Sequence, residues 1–252
     1  MNDFSMMINA LNEIAYSAGE IIMKYFKQDI GYSLKDDNSF VTKADIEASN
    51  FIVKAIHKLN TGFTVISEEE DYSQIRLKEN ESFWLVDPLD GTSNFVNHNN
   101  DFTVNIALIK ENKPFIGVVY VPTQKQLFYN NDVAAYTKFI GKNEKQIFCS
   151  NKTKEITALI SSRKDNGLDS IKESYDIKTI QVMGSSLKLV KLAEGVAEIH
   201  SRGGRTMEWD TAAAHAILNA AGGEIVDLNN CELLYGKPKF ENPSFIAKSK
   251  AL

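Results

Sequence analysis

The sequence predicts an α+β arrangement in its first part and an α/β layer in its second. In the first part, two stretches with apolar residues at helical spacing precede a run of short apolar segments separated by polar turns. In the second part, strand-like and helix-like stretches alternate, which is typical of an α/β layer. With 252 residues, of which 43% are hydrophobic, the chain is long enough to bury a substantial core.

Two amphipathic helices and an antiparallel meander are predicted in the first part. Residues 4–28 place apolar side chains at helical spacing, and Thr42 begins a second helix that runs to about Leu59. Residues 29–40 between them are polar and are predicted to form a loop. Strands are predicted near residues 63–67, 82–87, 102–110, 114–121, 126–129 and 134–137.

The second part follows the polar stretch Gly141–Lys145. We therefore predict two subdomains, 1–145 and 146–252. Gly222 and Gly223 are expected to end the last helix. Strands are predicted at 157–161, 178–182, 197–200, 224–227 and 244–247, with helices at 165–174, 186–194 and 209–221.

Composition argues against several classes of protein. The net charge of −5 gives no support for binding to a nucleic-acid polymer. No apolar run approaches the roughly 20 residues needed to span a bilayer, and the N-terminal residues lack the features of a secretory signal. Cys149 and Cys231 lie far apart and are predicted to be free thiols in a reducing cytosol. A cytoplasmic protein is expected, with peripheral association with the inner membrane left open.

The most informative motif is Asp87–Thr92, which reads DPLDGT and directly follows an apolar strand. Its proline restricts the backbone and biases the preceding residue toward an extended conformation, while its glycine permits a turn. We expect this strand end to present the Asp87 and Asp90 carboxylates and the Leu89 carbonyl to one point. Hard oxygen ligands that converge in this way suit Mg²⁺.

Two further acidic clusters lie beside predicted buried elements. Residues 67–71 follow a short strand and would, in isolation, be a solvated charge run. Asp210 precedes an alanine-rich helix and would, in isolation, be a simple N-cap. Together with Asp87 and Asp90, the carboxylates of Glu68 and Asp210 are better explained as a multi-metal site, because converging carboxylates repel one another unless cations neutralise them.

Hydrolysis of a phosphate monoester by water is the reaction that suits such a site. No cysteine or histidine lies in a nucleophile motif, so water is the expected attacking group. The four histidines are predicted to be structural or solvent-facing: His57, His98, His200 and His215.

These motifs resemble the inositol monophosphatase superfamily of Mg²⁺-dependent phosphatases. The resemblance is carried by residues 41–45, 67–69, 87–92 and 209–213 and extends along nearly the whole chain. It implies a layered αβαβα sandwich with the site between two subdomains. It also implies two or three Mg²⁺ ions as cofactors, and it leaves open whether the protein is a monomer or a homodimer.

The resemblance assigns the metal ligands residue by residue. Glu68, Asp87 and the Leu89 carbonyl would bind the activating metal. Asp87, Asp90 and Asp210 would bind the second metal. Four of these residues are also expected to line the substrate site: Glu68, Leu89, Asp90 and Asp210.

The resemblance also implies how the attacking water is held. Thr92 would hydrogen-bond this water, and Asp45 would support it through the threonine hydroxyl, since a threonine needs an acceptor to relay a proton. The backbone amides of Gly91 and Thr92 would face the phosphate. Glu69 is left open as a direct ligand, and a third metal held by Glu68 and water is an alternative.

Within the superfamily, several segments are similar to bacterial 3′(2′),5′-bisphosphate nucleotidases, among them residues 101–109, 117–122, 184–188 and 192–195. This similarity implies removal of the 3′-phosphate of adenosine 3′,5′-bisphosphate to give AMP, in sulfur metabolism. An inositol monophosphatase or other sugar phosphate phosphatase is the alternative. A catalytically silent binding protein on the same fold is a third interpretation, which loss of a ligand carboxylate or of Thr92 would indicate.

A second phosphate on the substrate would require a cation and hydroxyl groups at some distance from the metals. Ser185, Lys188 and Arg202 are the candidates, with Arg205 as the alternative to Arg202. The competing interpretation of Lys188 is a solvated lysine on a helix.

Two departures from the nucleotidase pattern bear on the substrate. Lys164 stands where related nucleotidases often carry a histidine, and Ser93–Phe95 resembles the inositol monophosphatase version of the segment more than the nucleotidase version.

Overall fold

The computed structural model describes residues 3–26, 28, 31–34, 40–131, 133–162 and 167–252. Five layers stack in the order helix pair, seven-stranded sheet, helix pair, five-stranded sheet and one short helix. The expected layered αβαβα sandwich is therefore confirmed.

The described elements alternate in the predicted manner. The helices are α1 (Asp3–Tyr25), α2 (Lys43–Lys58), α3 (Thr92–Val96), α4 (Asp169–Lys172), α5 (Leu187–Ala193) and α6 (Ala212–Ala220). The strands are β1 (Ser33–Leu34), β2 (Phe40–Val41), β3 (Thr64–Ser67), β4 (Phe83–Asp90), β5 (Thr103–Lys110), β6 (Lys113–Val121), β7 (Gln126–Asn130), β8 (Ala135–Phe139), β9 (Lys145–Ile147), β10 (Ile156–Ile160), β11 (Ile177–Val182), β12 (Ile199–Arg202), β13 (Thr206–Met207), β14 (Gly223–Asp227), β15 (Glu241–Asn242) and β16 (Phe245–Ser249).

The two large sheets differ in topology. The seven-stranded sheet has the order β3-β4-β5-β6-β7-β8-β9, with β3 parallel to β4 and every other pair antiparallel. The five-stranded sheet has the order β11-β10-β12-β16-β14, in which β11, β10 and β12 are parallel and β16 runs antiparallel to both of its neighbours.

Both faces of the seven-stranded sheet are buried. On β4, Trp84 and Val86 contact the core beneath α1 and α2, whereas Phe83 and Leu85 contact the core shared with α5 and α6. A strand covered on both faces is apolar at successive positions. This explains why Phe83–Val86 on β4 and Ile106–Ile109 on β5 are continuous apolar runs in the sequence.

Helix α6 lies directly against the seven-stranded sheet. A Cβ atom at Gly117, on β6, would lie 2.0 Å from the carbonyl oxygen of Ala213, so only glycine allows this approach. The contact places the residues that precede α6 over the ends of β3 and β4.

The structure corrects several element predictions. Helix α1 ends at Tyr25 and not at residue 28, α4 spans only Asp169–Lys172, and α6 begins at Ala212 because Glu208–Asp210 form a 3₁₀ turn. Strands β1, β2, β9, β13 and β15 were not predicted, because strands of two or three residues carry no periodic signal. Residues 29, 30 and 35–39 of the predicted loop, and 165–166 of the predicted helix, lie outside the described residues.

The division into subdomains 1–145 and 146–252 stays a prediction. Strand β9, Lys145–Ile147, closes the seven-stranded sheet, and β10 opens the second sheet at Ile156. Within the described part of the chain, no helix combines the length and the apolar character that crossing a membrane requires.

Candidate active site

Two neighbouring strands bring the first carboxylates together. Strands β3 and β4 are parallel with Ser67 opposite Val86, and the Glu68 amide donates to the Val86 carbonyl at 3.0 Å. Glu68 and Asp87, the next residue along each chain segment, therefore lie side by side at the same edge of the sheet.

A bulge in β4 explains how two carboxylates three residues apart lie on one side of the sheet. In a regular strand, residues with odd spacing point to opposite faces. Here Asp87 pairs with Asn105 and Asp90 pairs with Thr103, so three steps along β4 match two along β5. One extra residue in a bulge re-aims the side chain that follows it. Pro88 is tolerated at this irregularity because it has no ladder hydrogen bond to donate.

Asp210 approaches the same point from the other side of the molecule. Its carboxylate Oδ2 accepts from the Met207 amide at 2.8 Å, which stabilises the 3₁₀ turn before α6. Single oxygen atoms of Glu68, Asp87 and Asp210 all lie within 4.8 Å of one another. The structure thus brings together three of the four predicted carboxylates at one point, and Asp90 lies close enough to affect the pKa of the other two aspartates.

The turn that carries Asp210 is anchored by a buried glutamate. Glu208 is fully buried, and its carboxylate accepts from the backbone amides of Gly236 and Lys237 at 2.7 and 3.0 Å. The Lys237 ammonium completes the contact at 2.7 Å.

The expected contact between Thr92 and Asp45 is present. The Thr92 hydroxyl donates to Asp45 Oδ1 at 2.9 Å and lies 3.1 Å from the Leu89 carbonyl oxygen. The other carboxylate oxygen of Asp45 accepts from the Thr42 amide and hydroxyl at 2.8 and 2.6 Å. This is a capping box at the start of α2, so Asp45 is held in one orientation by its own helix.

Gly91 permits the turn between β4 and α3. Its φ is +94°, a left-handed conformation that glycine adopts without strain. A Cβ atom there would also lie 2.9 Å from the Asp101 carbonyl oxygen. The glycine of the motif is thus required both by the backbone and by the neighbouring chain.

Burial and mutual repulsion disfavour the ionised form of these carboxylates. Burial raises the pKa of Asp87 and of Asp210 well above the usual range, and the neighbouring carboxylates raise both further. Burial also raises the pKa of Asp90 and of Asp45, although the charge of Lys188 acts in the opposite direction on Asp90. Bound cations would therefore stabilise the ionised form of this cluster.

Two of the three candidates for a second-phosphate pocket are buried cations. Lys188 is 7% exposed and Arg202 is 6% exposed, so the interpretation of Lys188 as a solvated lysine is wrong. The Lys188 ammonium donates to the Ser185 and Met183 carbonyls at 2.6 and 3.3 Å, and Arg202 donates to the Arg205 carbonyl at 2.9 Å. Burial raises the pKa of Asp210, and the positive charge of Arg202 acts in the opposite direction.

The other two candidates, Ser185 and Arg205, are more exposed than Lys188 and Arg202. Ser185 is half-buried and adopts a φ of +49° in the turn before α5. Arg205 is exposed and pairs with Glu241 at 3.0 Å. Lys164 lies outside the described residues.

The histidines divide into two kinds. Burial lowers the pKa of His200 and of His215 to about 3, so both are neutral at physiological pH, while His57 and His98 are exposed. The charges of Lys188 and Arg202 act in the same direction as burial on the pKa of His200.

Sequence reasoning missed the polar residues that contact Asp90. Thr103 and Asn105 on β5, and Ser186 before α5, are all buried and all lie beside its carboxylate. A signal was present, because Thr103 and Asn105 interrupt an otherwise apolar strand on the same face as Asp87 and Asp90.

Comparison with known proteins agrees with this fold. The family model described as the inositol monophosphatase family matches residues 3–251, and the chain belongs to this family. It is 36% identical to the 3′(2′),5′-bisphosphate nucleotidase CysQ of Buchnera aphidicola over 98% of this chain and 96% of that protein. The crystal structure of CysQ from Bacteroides thetaiotaomicron superimposes with a TM-score of 0.83 at 33% identity, covering 98% of both chains. The IMPase of Thermotoga maritima shares the fold at 23% identity, with a TM-score of 0.80 and coverage of 97% of this chain and 92% of that one.

Proposed function

We propose that this protein is a Mg²⁺-dependent phosphoric monoester hydrolase that removes the 3′-phosphate of adenosine 3′,5′-bisphosphate to give AMP. One observation carries the proposal: oxygen atoms of three carboxylates lie within 4.8 Å of one another, and the charges of two buried cations, Lys188 and Arg202, act on Asp90 and on Asp210 respectively. The carboxylates suit metal-assisted attack on one phosphate, and the cations suit a second one. The nucleotidase name of relatives that match nearly the whole chain supports the same substrate.

The donor set fits Mg²⁺. Glu68, Asp87, Asp90 and Asp210 offer carboxylate oxygens and Leu89 offers a carbonyl oxygen, which are the ligands that this ion prefers. The raised pKa values of Asp87 and Asp210 reflect burial first and the neighbouring carboxylates second, and bound cations would favour the charged forms of both groups. Bound Mg²⁺ would lower the pKa of a water molecule and stabilise the negative charge that develops on the leaving oxygen.

The protein itself orients the attacking water. Because the Thr92 hydroxyl donates to Asp45, its oxygen keeps lone pairs that accept a hydrogen bond from water. A water held in this way directs its own lone pair at phosphorus. Its proton can pass through the Thr92 hydroxyl to Asp45, which the Thr42 contacts hold in place as the acceptor.

The second phosphate separates the two candidate substrate classes. Inositol 1-phosphate carries one phosphate and gives Lys188 and Arg202 no anion to bind. A bisphosphate nucleotide places its other phosphate away from the metals, where a buried cation would be favourable. An inositol or other sugar phosphate is the second candidate, which residues 93–95 favour. Sulfur metabolism and a monomeric or dimeric state belong to the same proposal.

The proposal is tested by measuring phosphate release in Mg²⁺ from adenosine 3′,5′-bisphosphate, AMP and inositol 1-phosphate. We expect a preference of ~100-fold in kcat/KM for the bisphosphate, which corresponds to ~2.7 kcal/mol. A preference for inositol 1-phosphate would reject the nucleotidase assignment and keep the metal site. No Mg²⁺-dependent release from any of the three would contradict the hydrolase itself.

Lys188→Met examines the second-phosphate pocket directly. We expect KM for the bisphosphate to rise roughly 10-fold, since a hydrogen bond to a charged group contributes about 1.5–3 kcal/mol. Lys191→Met, on the same helix but bound to Glu194 and Gln126, is the matched control. Because Lys188 also acts on Asp90, the hydrolysis of inositol 1-phosphate by the same variant reports any damage to the metal site.

A further inference from the structure

The carboxylate of Asp90 is held through one of its two oxygens. Its Oδ2 accepts from the Ser186 amide, the Thr103 hydroxyl and the Asn105 side-chain amide, the last two at 3.4 Å. All the described hydrogen bonds to this side chain converge on that oxygen, which sets the direction in which the other oxygen points.

The donors are themselves connected. The Ser186 hydroxyl donates to Asn105 Oδ1 at 2.8 Å and lies 2.8 Å from the Thr103 hydroxyl. The bond to Oδ1 turns the NH₂ group of Asn105 toward Asp90. Ser186, Thr103 and Asn105 are at most 3% exposed, so solvent cannot replace these contacts cheaply.

This network joins two layers of the fold. Thr103 and Asn105 belong to β5 of the seven-stranded sheet, whereas Ser186 immediately precedes α5 and lies 81 residues or more away along the chain. The Ser186 amide, one of the three donors to Asp90, is therefore in place only when the α5 layer is docked on the sheet.

We propose that Thr103, Asn105 and Ser186 are positioning residues that orient Asp90 for metal binding, so that metal affinity depends on the docking of α5 against the sheet. The inference rests on the proposed metal-dependent function. Hydrogen-bond partners of ligating carboxylates typically contribute 10–100-fold to metal affinity or activity.

The test is Mn²⁺ binding to the substrate-free protein, measured by isothermal titration calorimetry. Thr103→Val keeps the shape of the side chain and removes its hydroxyl. Asn105→Ala removes the amide. We expect each to raise the Kd for Mn²⁺ by roughly 10-fold, and Thr103→Ser to restore most of the affinity.

Two control variants separate positioning from general loss of stability. Thr137 lies on β8 and, like Thr103, is buried. Thr137→Val removes a hydroxyl that bonds Leu127 and Gln126. Asn130 lies on β7, and Asn130→Ala removes an amide that bonds Gly117 and Phe115. Both should lower the melting temperature and leave the Kd for Mn²⁺ within twofold of wild type.

The outcomes distinguish this inference from the proposed function. Unchanged Mn²⁺ affinity in Thr103→Val and Asn105→Ala, or equal weakening in the two control variants, would overturn the positioning role. Failure of the wild-type protein to bind Mn²⁺ at all would instead overturn the metal-dependent function.

Discussion

The two sides of the carboxylate cluster are built in different ways. Glu68 directly follows β3, while Asp87 and Asp90 lie in the last part of the adjacent strand β4. Their positions are set by strand register and one bulge. Asp210 sits on a 3₁₀ turn whose anchor, Glu208, reaches a segment about 28 residues further along the chain. The first side is thus determined by pairing between neighbours, and the second by contacts that form only in the folded molecule.

Substitutions on the two sides should therefore have different effects on activity and stability. A change on the strand side alters ligands inside a rigid sheet that is buried on both faces. A change on the turn side alters a short irregular segment that depends on the buried pair between Glu208 and Lys237. We expect variants of the strand side to lose activity while they keep the fold, and variants of the turn side to lose stability and activity together.

The largest effect is expected from Asp90→Asn. The substitution preserves shape and removes a negative charge that acts on both Asp87 and Asp210. Removal of a single electrostatic stabiliser costs roughly 10²–10³ in kcat, and removal of a charged metal ligand should cost at least about 10³. The measurement is phosphate release in saturating Mg²⁺, with circular dichroism to confirm the fold.

The exposed Asp169 provides the control for Asp90→Asn. Asp169→Asn should leave turnover unchanged, because its side chain is 99% exposed. If Asp90→Asn turned over like Asp169→Asn, the metal mechanism would be wrong.

A smaller loss is expected from Thr92→Val. The hydroxyl between Asp45 and the water position is removed while the metal ligands stay, so we expect a loss of about 10², at the lower end of the range typical of general acid–base contributions. Substrate KM and Mn²⁺ affinity should stay close to wild type, because no proposed metal ligand is changed. A raised KM with an unchanged kcat would show that Thr92 binds substrate and does not orient water.

The strand side could be predicted from the sequence because its information is local. The motif at residues 87–92 contains the proline, the glycine and both aspartates within six positions. The capping box that orients Asp45 was equally present as Thr42 and Asp45 three residues apart. The resemblance to a known family then gave the layer order, which the structure confirmed.

The turn side and the supporting network could not be predicted in the same way. Nothing near Glu208 in the sequence indicates that Gly236 and Lys237 bind its carboxylate, since the contact spans two separate segments. The burial of Lys188 was likewise hidden, because a lysine on an amphipathic helix is ordinarily solvated. Contacts of this kind follow from the stacking of layers, which a single sequence does not encode in any short pattern.

Glu208→Gln tests the turn side. The variant keeps the length of the side chain but leaves the Lys237 ammonium beside a neutral amide. We expect the free energy of unfolding in EDTA to fall by about 1–3 kcal/mol, and the Mg²⁺ concentration for half-maximal activity to rise. Urea denaturation gives the first quantity.

Glu232→Gln is the matched control for Glu208→Gln. Its partner is Lys113 at 2.5 Å, but both side chains are about half exposed, and exposed pairs contribute little. Equal destabilisation by the two variants would contradict the view that burial makes the Glu208 pair important.

The smallest effect on catalysis is expected from His215, in helix α6 on the turn side, which instead makes stability depend on pH. His215 has a pKa of about 3 in the folded protein because burial disfavours its charged form, against about 6.5 in an unfolded chain. The unfolded state therefore binds more protons between these values, and stability falls as pH falls from about 6.5 toward 3. The slope due to one such group is at most ~1.4 kcal/mol per pH unit.

The contribution of His215 is isolated by comparing variants and not by the wild type alone, because the raised pKa values of Asp87 and Asp210 act in the opposite direction in the metal-free protein. His215→Gln should show a shallower loss of stability between pH 6.5 and 4 than wild type does. His57→Gln, at an exposed position on α2, should follow the wild-type slope. If His215→Gln also followed it, protonation of His215 would not be the step by which acid weakens the fold, and another group whose pKa burial lowers, such as His200, would have to account for the loss.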